Sequence, residues 1–419
     1  MIRSPQIGKP EQPRAIFSVA ARISDYASDS WTNNRRAMIE ALAVFLPARI
    51  ILSILAVFAT AMLPEQHGLH AVYHLTTFVP LDVWARWDSV YYLQIAQSGY
   101  GSSVALHSFF PMYPIAIFVV SQLLFHQWVL SGVVVSSVAC FVALIYLFKL
   151  TAWEFDEETA KRAILYLIIF PTAVFLMAAY SESLFLALTV AGFYYARRGQ
   201  WTASAIITFL AGLSRANALV LCFPLLYEAW EQIGGNLKNL WYIRPKLILP
   251  ALAAIAAAPL GLLCFASYLA LLTHDPLAFL HSEDTPPFGR HLTMPIQTLI
   301  IAVHNIIASL HDPNPLSRAV NSQDLTAAVL LIVVSIVSWW MLPRIYPIYL
   351  TAATLLILSS TVPGWALQST PRFALTTFPL YFVFARLGAN RYWHRAFVIT
   401  FATLLGVYTA MFATWYWVF

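Results

Sequence analysis

The stretch from Arg86 through Trp87 to Asp88 carries the residues best suited to chemistry, because it sets a carboxylate beside a cation and an indole in a polar loop. A water-accessible carboxylate can act as a general base toward a hydroxyl group. Trp87 offers a flat face for a sugar ring or an anchor at a membrane interface, and Tyr91 lies one helical turn later. The alternative is an ordinary surface aspartate. Asp82 has no polar neighbour in the sequence and is the weaker candidate.

Further polar residues interrupt apolar stretches. Tyr180 and Glu182 lie between two apolar runs, Arg215 and Asn217 interrupt a third, and Arg372 follows a proline. Ionisable groups at membrane depth are costly and usually functional. A phosphate matches the planar fork of an arginine, so these arginines are candidates for contacts to a lipid-linked phosphate. The structural alternatives are a helix-start charge for Glu182 and an ion pair or a snorkelling cation for the arginines.

A second polar region contributes two further pocket candidates, His281 and Glu283. Nine of the eleven histidines fall in the two large polar regions, but no HExxH or comparable set completes a metal site. The three cysteines lie in apolar stretches without a partner at metal-ligand spacing. The sequence therefore predicts no metal site and requires no cofactor, and it leaves a divalent-cation requirement open.

Composition makes the bilayer the expected solvent. The chain is 60% hydrophobic and 10% charged, whereas a soluble domain carries roughly 25% charged residues. At ~20 residues per span the apolar runs allow about 9–12 spans. We therefore predict an all-α polytopic membrane protein, a multi-span helical bundle with exterior amphipathic helices, forming a single integral-membrane domain over residues 37–419. The net charge of +5 comes mostly from short loops and the N-terminal tail, which makes nucleic acid a poor partner.

The distribution of basic residues predicts the orientation. Six arginines and lysines precede the first span, whereas residues 64–108 contain a single arginine, Arg86, and no lysine. The positive-inside rule then makes residues 1–36 a cytoplasmic tail and residues 64–108 an exterior loop. Residues 273–324 form a second exterior region with an interfacial helix over 296–310. Arg49, inside the first span, is expected to snorkel.

The topology of residues 150–230 stays open. Placing Arg197 and Arg198 in the cytoplasm makes Glu182 exterior, whereas simple alternation of spans makes it cytoplasmic. Several apolar runs here are too short to cross ~30 Å of hydrocarbon. Half-helices or a re-entrant element would resolve the conflict, because irregular backbone is tolerated where it lines a cavity. We favour an exterior Glu182.

Six stretches together resemble the PIG-V-like mannosyltransferases, the family of the second GPI mannosyltransferase and its bacterial relatives. They are RWDSVYYLQIAQSGYG, FFPMYPIAIF, FPTAVFLMAAYSESLFLAL, GLSRANALVL, DPLAFLHSE and STPRFALTTFPLY. The resemblance implies a GT-C glycosyltransferase fold and an inverting transfer of mannose, or a related hexose, from a polyprenyl-phosphate donor on the exterior or lumenal face. The family's exterior-loop acid falls on Asp88, its tyrosine–acid motif on Tyr180 and Glu182, and its arginine motifs on Arg215 and Arg372.

This chain departs from the family at one motif position. The family often has proline after its first motif arginine, whereas this chain has Ala216 and Asn217, which changes the local backbone. Asp88 would be the base, with Arg215 or Arg372 stabilising the departing phosphate. The acceptor could be a glycolipid, a glycan or a protein. A compact chain without an ER-retention ending looks like a bacterial plasma-membrane member, and a eukaryotic one would lie in the ER membrane.

Two other classes of function fit the same residues. A transporter or flippase of lipid-linked sugars would use a similar cavity, arginines and aromatics, although it would not need the large exterior helix-loop elements. A non-catalytic membrane subunit would use the polar motifs as assembly contacts.

Overall fold

A computed structural model describes residues 30–66, 74–101, 103–235, 245–310 and 315–418. Most of the predicted N-terminal tail, residues 1–29, lies outside the described residues, as do parts of both predicted exterior loops. Within the described residues the regular structure is helical apart from one antiparallel pair of two-residue strands. This confirms the predicted all-α polytopic bundle.

The elements follow in chain order, with the strands interposed. The helices of the first half are α1 (Ser30–Met62), α2 (Val79–Asp82), α3 (Ser89–Ser98), a 3-10 turn (Val104–Ser108), α4 (Met112–Leu123), α5 (Trp128–Glu154), α6 (Glu157–Ile168), α7 (Val174–Met177), α8 (Glu182–Arg197) and α9 (Trp201–Gly212). The elements of the second half are a 3-10 turn (Ala216–Leu221), α10 (Cys222–Gln232), α11 (Pro245–Thr273), α12 (Ala278–Asp284), β1 (His291–Leu292), α13 (Pro295–Ser309), α14 (Pro315–Met341), α15 (Ile345–Leu358), β2 (Ser360–Thr361), α16 (Thr370–Leu375), α17 (Pro379–Leu387) and α18 (Arg391–Ala413).

Five of the described helices, α1, α5, α11, α14 and α18, are long and apolar enough to cross a membrane. Their candidate spans run over 23–29 residues, and at ~1.5 Å per residue each exceeds the ~30 Å hydrocarbon core. Four shorter apolar helices, α4, α9, α13 and α15, pack with them. The chain is therefore an integral membrane protein.

Buried ion pairs tie together one end of the bundle. Arg197, at the end of α8, contacts Glu154 at 2.6 Å and Glu228 at 2.8 Å, and the Tyr346 hydroxyl donates to Glu154 at 2.7 Å. Glu182 begins α8 and thus lies at the other end of that helix, ~23 Å away along the helix axis. The chain between α6 and α8 is irregular apart from the one-turn helix α7, which is the short, broken kind of segment that the sequence suggested. The exterior position of Glu182 stays a prediction.

One boundary and one side chain differ from the predictions. The helix α14 begins at Pro315, so the polar region predicted to reach residue 324 ends earlier, and Asp324 is buried within a candidate span. Arg49 does not snorkel. Its Nη1 donates to the Met177 carbonyl at 2.6 Å, and its guanidinium lies 4.6 Å from the centre of the Trp84 ring. A buried carbonyl and an aromatic face replace the water that a snorkelling arginine would reach.

Glycines let α9 and α11 approach closely. A Cβ on Gly212 would lie 2.3 Å from the Ala258 carbonyl oxygen, and one on Gly261 would lie 2.5 Å from the Phe209 oxygen. Small residues allow backbones to come this near in membrane helices. The contact fixes the end of α9 only three residues before Arg215.

Candidate active site

The loop that carries Asp88 is anchored by Asp82. One carboxylate oxygen of Asp82 accepts the backbone N–H groups of Leu75 and Thr76, and the other accepts Arg86 Nη1 at 2.6 Å and contacts His74 Nδ1 at 2.9 Å. Burial raises the pKa of Asp82, but the hydrogen bonds from His74 and Arg86 outweigh it and hold the pKa below its usual range. Asp82 is thus a structural anchor of the loop.

Arg86 was predicted to bind substrate, but its position favours a structural role. The side chain is 1% exposed. Beyond its pair with Asp82, it donates to the Ala413 carbonyl at 3.2 Å and lies 4.9 Å from the centre of the Trp415 ring. Arg86 therefore joins the loop to the carboxyl end of α18, where a cation is favourable.

Tyr180 holds the sharp turn that presents Asp88. Trp87 has a positive φ of 52°, an unfavourable conformation for a bulky residue. The Tyr180 hydroxyl donates to the Arg86 carbonyl at 3.1 Å and accepts the Asp88 N–H at 3.2 Å, so one side chain bonds the backbone on both sides of Trp87. Tyr180 is fully buried, which makes its role one of positioning rather than of substrate contact.

Four charged side chains, predicted separately, meet in one ion cluster of Asp88, Glu182, Arg215 and Arg372. Arg372 Nη1 contacts Asp88 Oδ2 at 2.6 Å, and Arg372 Nε contacts Glu182 Oε1 at 2.5 Å. Arg215 Nη1 contacts the same Glu182 oxygen at 2.8 Å. Glu182 is 1% exposed, whereas the Asp88 side chain is 23% exposed and is the accessible carboxylate of the cluster. Asp88 Oδ1 receives no hydrogen bond from the described residues.

Tyr92 is the tyrosine of α3 that supports the cluster. The Tyr92 hydroxyl contacts Ser181 Oγ at 2.7 Å, and that oxygen accepts Arg215 Nη1 at 3.1 Å, so Tyr92 supports the cluster although the sequence singled out its neighbour Tyr91. Tyr91 stacks on Phe109 with ring centres 4.9 Å apart. Asn217 is half-buried in the 3-10 turn that follows Arg215. The sequence gives no signal that separates Tyr91 from Tyr92, because the two tyrosines are adjacent in α3.

Glu283 faces the cluster together with Arg290, which the sequence analysis missed. Glu283 Oε2 lies 3.5 Å from Arg290 Nε. Burial raises the pKa of the Glu283 carboxyl, against the opposing effect of Arg290. Arg290 lies 5.3 Å from the centre of the Phe373 ring and Arg215 lies 5.8 Å from it, so one ring contacts both guanidinium groups. Nothing in the local sequence marks Arg290, because it stands in an irregular polar loop.

His281 does not join the cluster. His281 lies two residues before Glu283 on the short helix α12. Its side chain is 62% exposed and pairs with Asp275 at 2.6 Å. Its predicted place in a substrate pocket is not supported by this geometry. Among the described residues no group of three His, Cys, Asp or Glu side chains is arranged to hold a metal ion. The absence of a metal site and of a cofactor stays a prediction.

Next to the ion cluster lies a shallow, partly open cleft of about 10 Å³, enough for one water-sized molecule, which we call the aromatic cleft. Its lining consists of Trp87, Asp88, Phe175, Tyr180, Arg372, Phe412, Trp417 and Val418. Asp88 and Arg372 thus belong to both the ion cluster and the aromatic cleft. Trp417, which lies 329 positions after Asp88, was not predicted from the sequence.

The chain is similar in sequence to known proteins over about half of its length. A family model described as Mannosyltransferase (PIG-V) matches residues 48–275. GPI mannosyltransferase 2 of Yarrowia lipolytica is 33% identical over 110 residues, 26% of this chain and 31% of that protein. Human GPI alpha-1,6-mannosyltransferase 2 is 27% identical over 258 residues, 53% of this chain and 49% of that protein. The chain spans less than half the length of these curated relatives.

An oligosaccharyltransferase crystal structure from Archaeoglobus fulgidus also aligns, with a TM-score of 0.37 and 11% identity over 87% of this chain and 53% of that one. A similarity of that size carries no argument about the site. The family match is different, because it extends over more than half of the chain and includes Asp88, Glu182 and Arg215. The chain belongs to the PIG-V mannosyltransferase family.

Proposed function

We propose that this protein transfers mannose, or a related hexose, from a polyprenyl-phosphate donor to an acceptor hydroxyl, with inversion at the anomeric carbon. The observation that carries the proposal is the ion cluster, in which an accessible carboxylate, Asp88, is held by an arginine at 2.6 Å. The reaction would take place on the exterior or lumenal face, with the N-terminus in the cytoplasm.

Asp88 is suited to act as the general base. Arg372 occupies its Oδ2, which fixes the carboxylate and leaves Oδ1 to accept the proton of the acceptor hydroxyl. The acceptor oxygen then forms a bond to the anomeric carbon on the face opposite the phosphate. The bond from that carbon to the phosphate oxygen breaks, and its electron pair leaves with the polyprenyl phosphate. The proton stays on Asp88 until it passes to solvent.

Arg215 and Arg290 are better placed than Arg372 to bind the departing phosphate. Arg372 already contacts two carboxylates, so its fork is occupied. Arg215 shares a single carboxylate with Arg372, and the hydrogen-bond partners of Arg290 lie at 3.3–3.5 Å, which is long for charge-assisted bonds. The sequence left Arg215 and Arg372 as alternatives, and the geometry favours Arg215. Arg372 becomes a positioning residue for Asp88.

A polyprenyl phosphate is already a leaving group, so the proposed reaction requires no nucleotide site. Membrane lipids would surround the bundle and supply the donor laterally. We propose that the protein lies in a bacterial plasma membrane. A eukaryotic member of the family would lie in the ER membrane.

The rival functions predict a different role for Asp88. A flippase would need the arginines to follow the phosphate across the membrane, but the ion cluster joins α8, α16 and two loops through buried pairs at one end of the bundle. A non-catalytic subunit would not need an accessible carboxylate held in place by a strained turn. Both features favour an enzyme.

The test is sugar transfer from radiolabelled polyprenyl-phosphate-mannose in membranes that contain wild-type protein or Asp88→Asn at matched expression. General-base catalysis contributes about 10²–10⁴-fold, and we expect the variant to lose at least a hundredfold in rate. Transfer by both proteins at equal rates would remove Asp88 from the mechanism. Transfer by neither, with all candidate acceptors, would contradict the proposed function.

A further inference from the structure

Two cations meet where α5 and α8 end. Lys149 Nζ lies 4.5 Å from the centre of the Tyr194 ring, and the Arg198 guanidinium lies 5.3 Å from the same centre. Lys149 is also 5.2 Å from the centre of the Tyr146 ring, and Arg198 is 5.9 Å from that of Trp153. We call these five residues the cation–aromatic site. It lies at the end of α8 opposite the ion cluster.

Lys149 has no carboxylate to balance its charge within the part of the chain that the structure describes. The charge that acts on it is that of Arg198, which is a like charge. Two nearby acids are occupied, because Glu154 and Glu228 both pair with Arg197, at 2.6 Å and 2.8 Å. An aromatic face attracts a cation but carries no net charge, so it does not remove the repulsion between two cations. The position of Lys149 therefore favours an anion from outside the chain.

The depth of the cation–aromatic site corresponds to the headgroup region of a bilayer. Lys149 lies five residues before the end of the candidate span Trp128–Glu154, or ~7.5 Å along the helix axis. Arg198 directly follows the last residue of α8. Tyrosine and tryptophan are enriched at this level of a membrane. Because Lys149 and Arg198 are both half-buried, a lipid beside α5 and α8 can reach them.

We propose that the cation–aromatic site binds the headgroup phosphate of an anionic phospholipid. Lys149 and Arg198 supply charge-assisted donors for the phosphate oxygens. A further donor comes from Tyr146 and Tyr195, whose hydroxyls lie 2.8 Å apart, because their shared hydrogen bond uses one hydrogen and leaves the other available. A zwitterionic headgroup would bring its own cation beside two others, so the site selects against it. This inference does not depend on the proposed reaction.

The test is native mass spectrometry of the purified protein in detergent, titrated with phosphatidylglycerol or with phosphatidylcholine of the same acyl chains. We expect wild type to bind phosphatidylglycerol at least tenfold more tightly. The double variant Lys149→Gln/Arg198→Gln should lose this preference. The matched control, Arg36→Gln/Lys161→Gln, removes the same net charge from residues that pair with carboxylates of α6, and it should stay within twofold of wild type.

A single substitution keeps the test decisive if the double variant does not fold. Lys149→Met keeps the length of the side chain without its charge and should lose most of the preference, whereas Lys149→Arg should keep it. The site is overturned if wild type binds both lipids equally, or if Lys149→Met binds like wild type. An equal loss in the double variant and its control would mean general attraction to a basic surface and would also overturn it. Displacement of phosphatidylglycerol by an equal concentration of inorganic phosphate would overturn the assignment to a lipid.

Discussion

At the scale of single residues, the one carboxylate of Glu182 forms ion pairs with two guanidinium groups. Its Oε1 accepts from Arg372 at 2.5 Å and from Arg215 at 2.8 Å. With Asp88 ionised, two cations balance two anions. When Asp88 takes a proton during the proposed reaction, the cluster gains one positive charge at the moment the departing phosphate gains negative charge. The shared carboxylate therefore couples base and leaving group electrostatically.

Arg290 is proposed to bind the donor phosphate, so removing its charge should weaken donor binding. Arg290→Gln should raise KM for polyprenyl-phosphate-mannose about tenfold or more, because a hydrogen bond to a charged group contributes about 1.5–3 kcal/mol. Acceptor KM should stay near the wild-type value. The control is Arg391→Gln, which removes an arginine at the other end of α18. If the donor KM of Arg290→Gln is unchanged in the same transfer assay, Arg290 does not bind the donor phosphate and Arg215 is the remaining candidate.

At the scale of elements, the loop from residue 74 to Asp88 is ordered by a buried polar anchor rather than by a long helix. Asp82 bonds two backbone N–H groups of the loop, and Arg86 extends the anchor to the end of α18. The Tyr180 hydroxyl then fixes the turn at Trp87 from a third element. The base is thus positioned by groups that never need to touch a substrate.

The anchor predicts a pH-dependent loss of stability. The pKa of Asp82 is lowered in the folded protein, so ionised Asp82 stabilises the fold above the unfolded value of about 3.9. That contribution is lost as pH falls from about 4 through the lowered folded pKa. Asp82→Asn should cost about 3–5 kcal/mol at neutral pH, because it leaves the buried Arg86 unpaired.

Thermal unfolding of wild type and Asp82→Asn across pH 3–8 would check this. The difference in Tm should be constant above about pH 5 and should shrink below pH 4, where wild type loses the same charge. A difference that persists unchanged at pH 3 would mean that Asp82 stabilises the loop through its neutral hydrogen bonds alone.

At the scale of the whole molecule, close helix packing sets where the charged residues meet. The α9–α11 contact at Gly212 and Gly261 holds the end of α9, and the Arg197 network holds the far end of α8. Lipid tails are as apolar as the helix surfaces, so this packing depends on close contact and polar pairs rather than on burial from water.

Gly212→Ala should separate these helices. Its Cβ would lie 2.3 Å from a backbone oxygen that cannot move independently, so we expect a loss of about 1–3 kcal/mol in unfolding free energy and reduced transfer. Gly406→Ala is the matched control, because its Cβ would meet Leu55 at an ordinary 3.7 Å. Thermal unfolding of both variants in nanodiscs tests the prediction, and equal Tm values would show that α9 and α11 can move apart without cost.

Composition and the polar residues within apolar runs were enough to predict the class of protein and most of the charged residues of the site. A composition of 60% hydrophobic and 10% charged residues excludes a soluble fold, and each polar interruption of an apolar run is costly enough to mark a site. Glu182, Arg215 and Arg372 were predicted for this reason, whereas Asp88 was predicted from its place beside Arg86 and Trp87 in a polar loop. Local pattern also suggested short, broken segments around Glu182.

The pairing of these residues depends on how the helices pack. Arg372 reaches Asp88 across 284 positions and Glu182 across 190, so no local pattern could show that it holds the base. The same long-range packing assigns Arg86 to the loop anchor and brings Arg290 and Trp417 to the site. Local sequence shows which charges are costly in a membrane, but their partners are fixed by helix packing over distances along the chain that periodicity does not report.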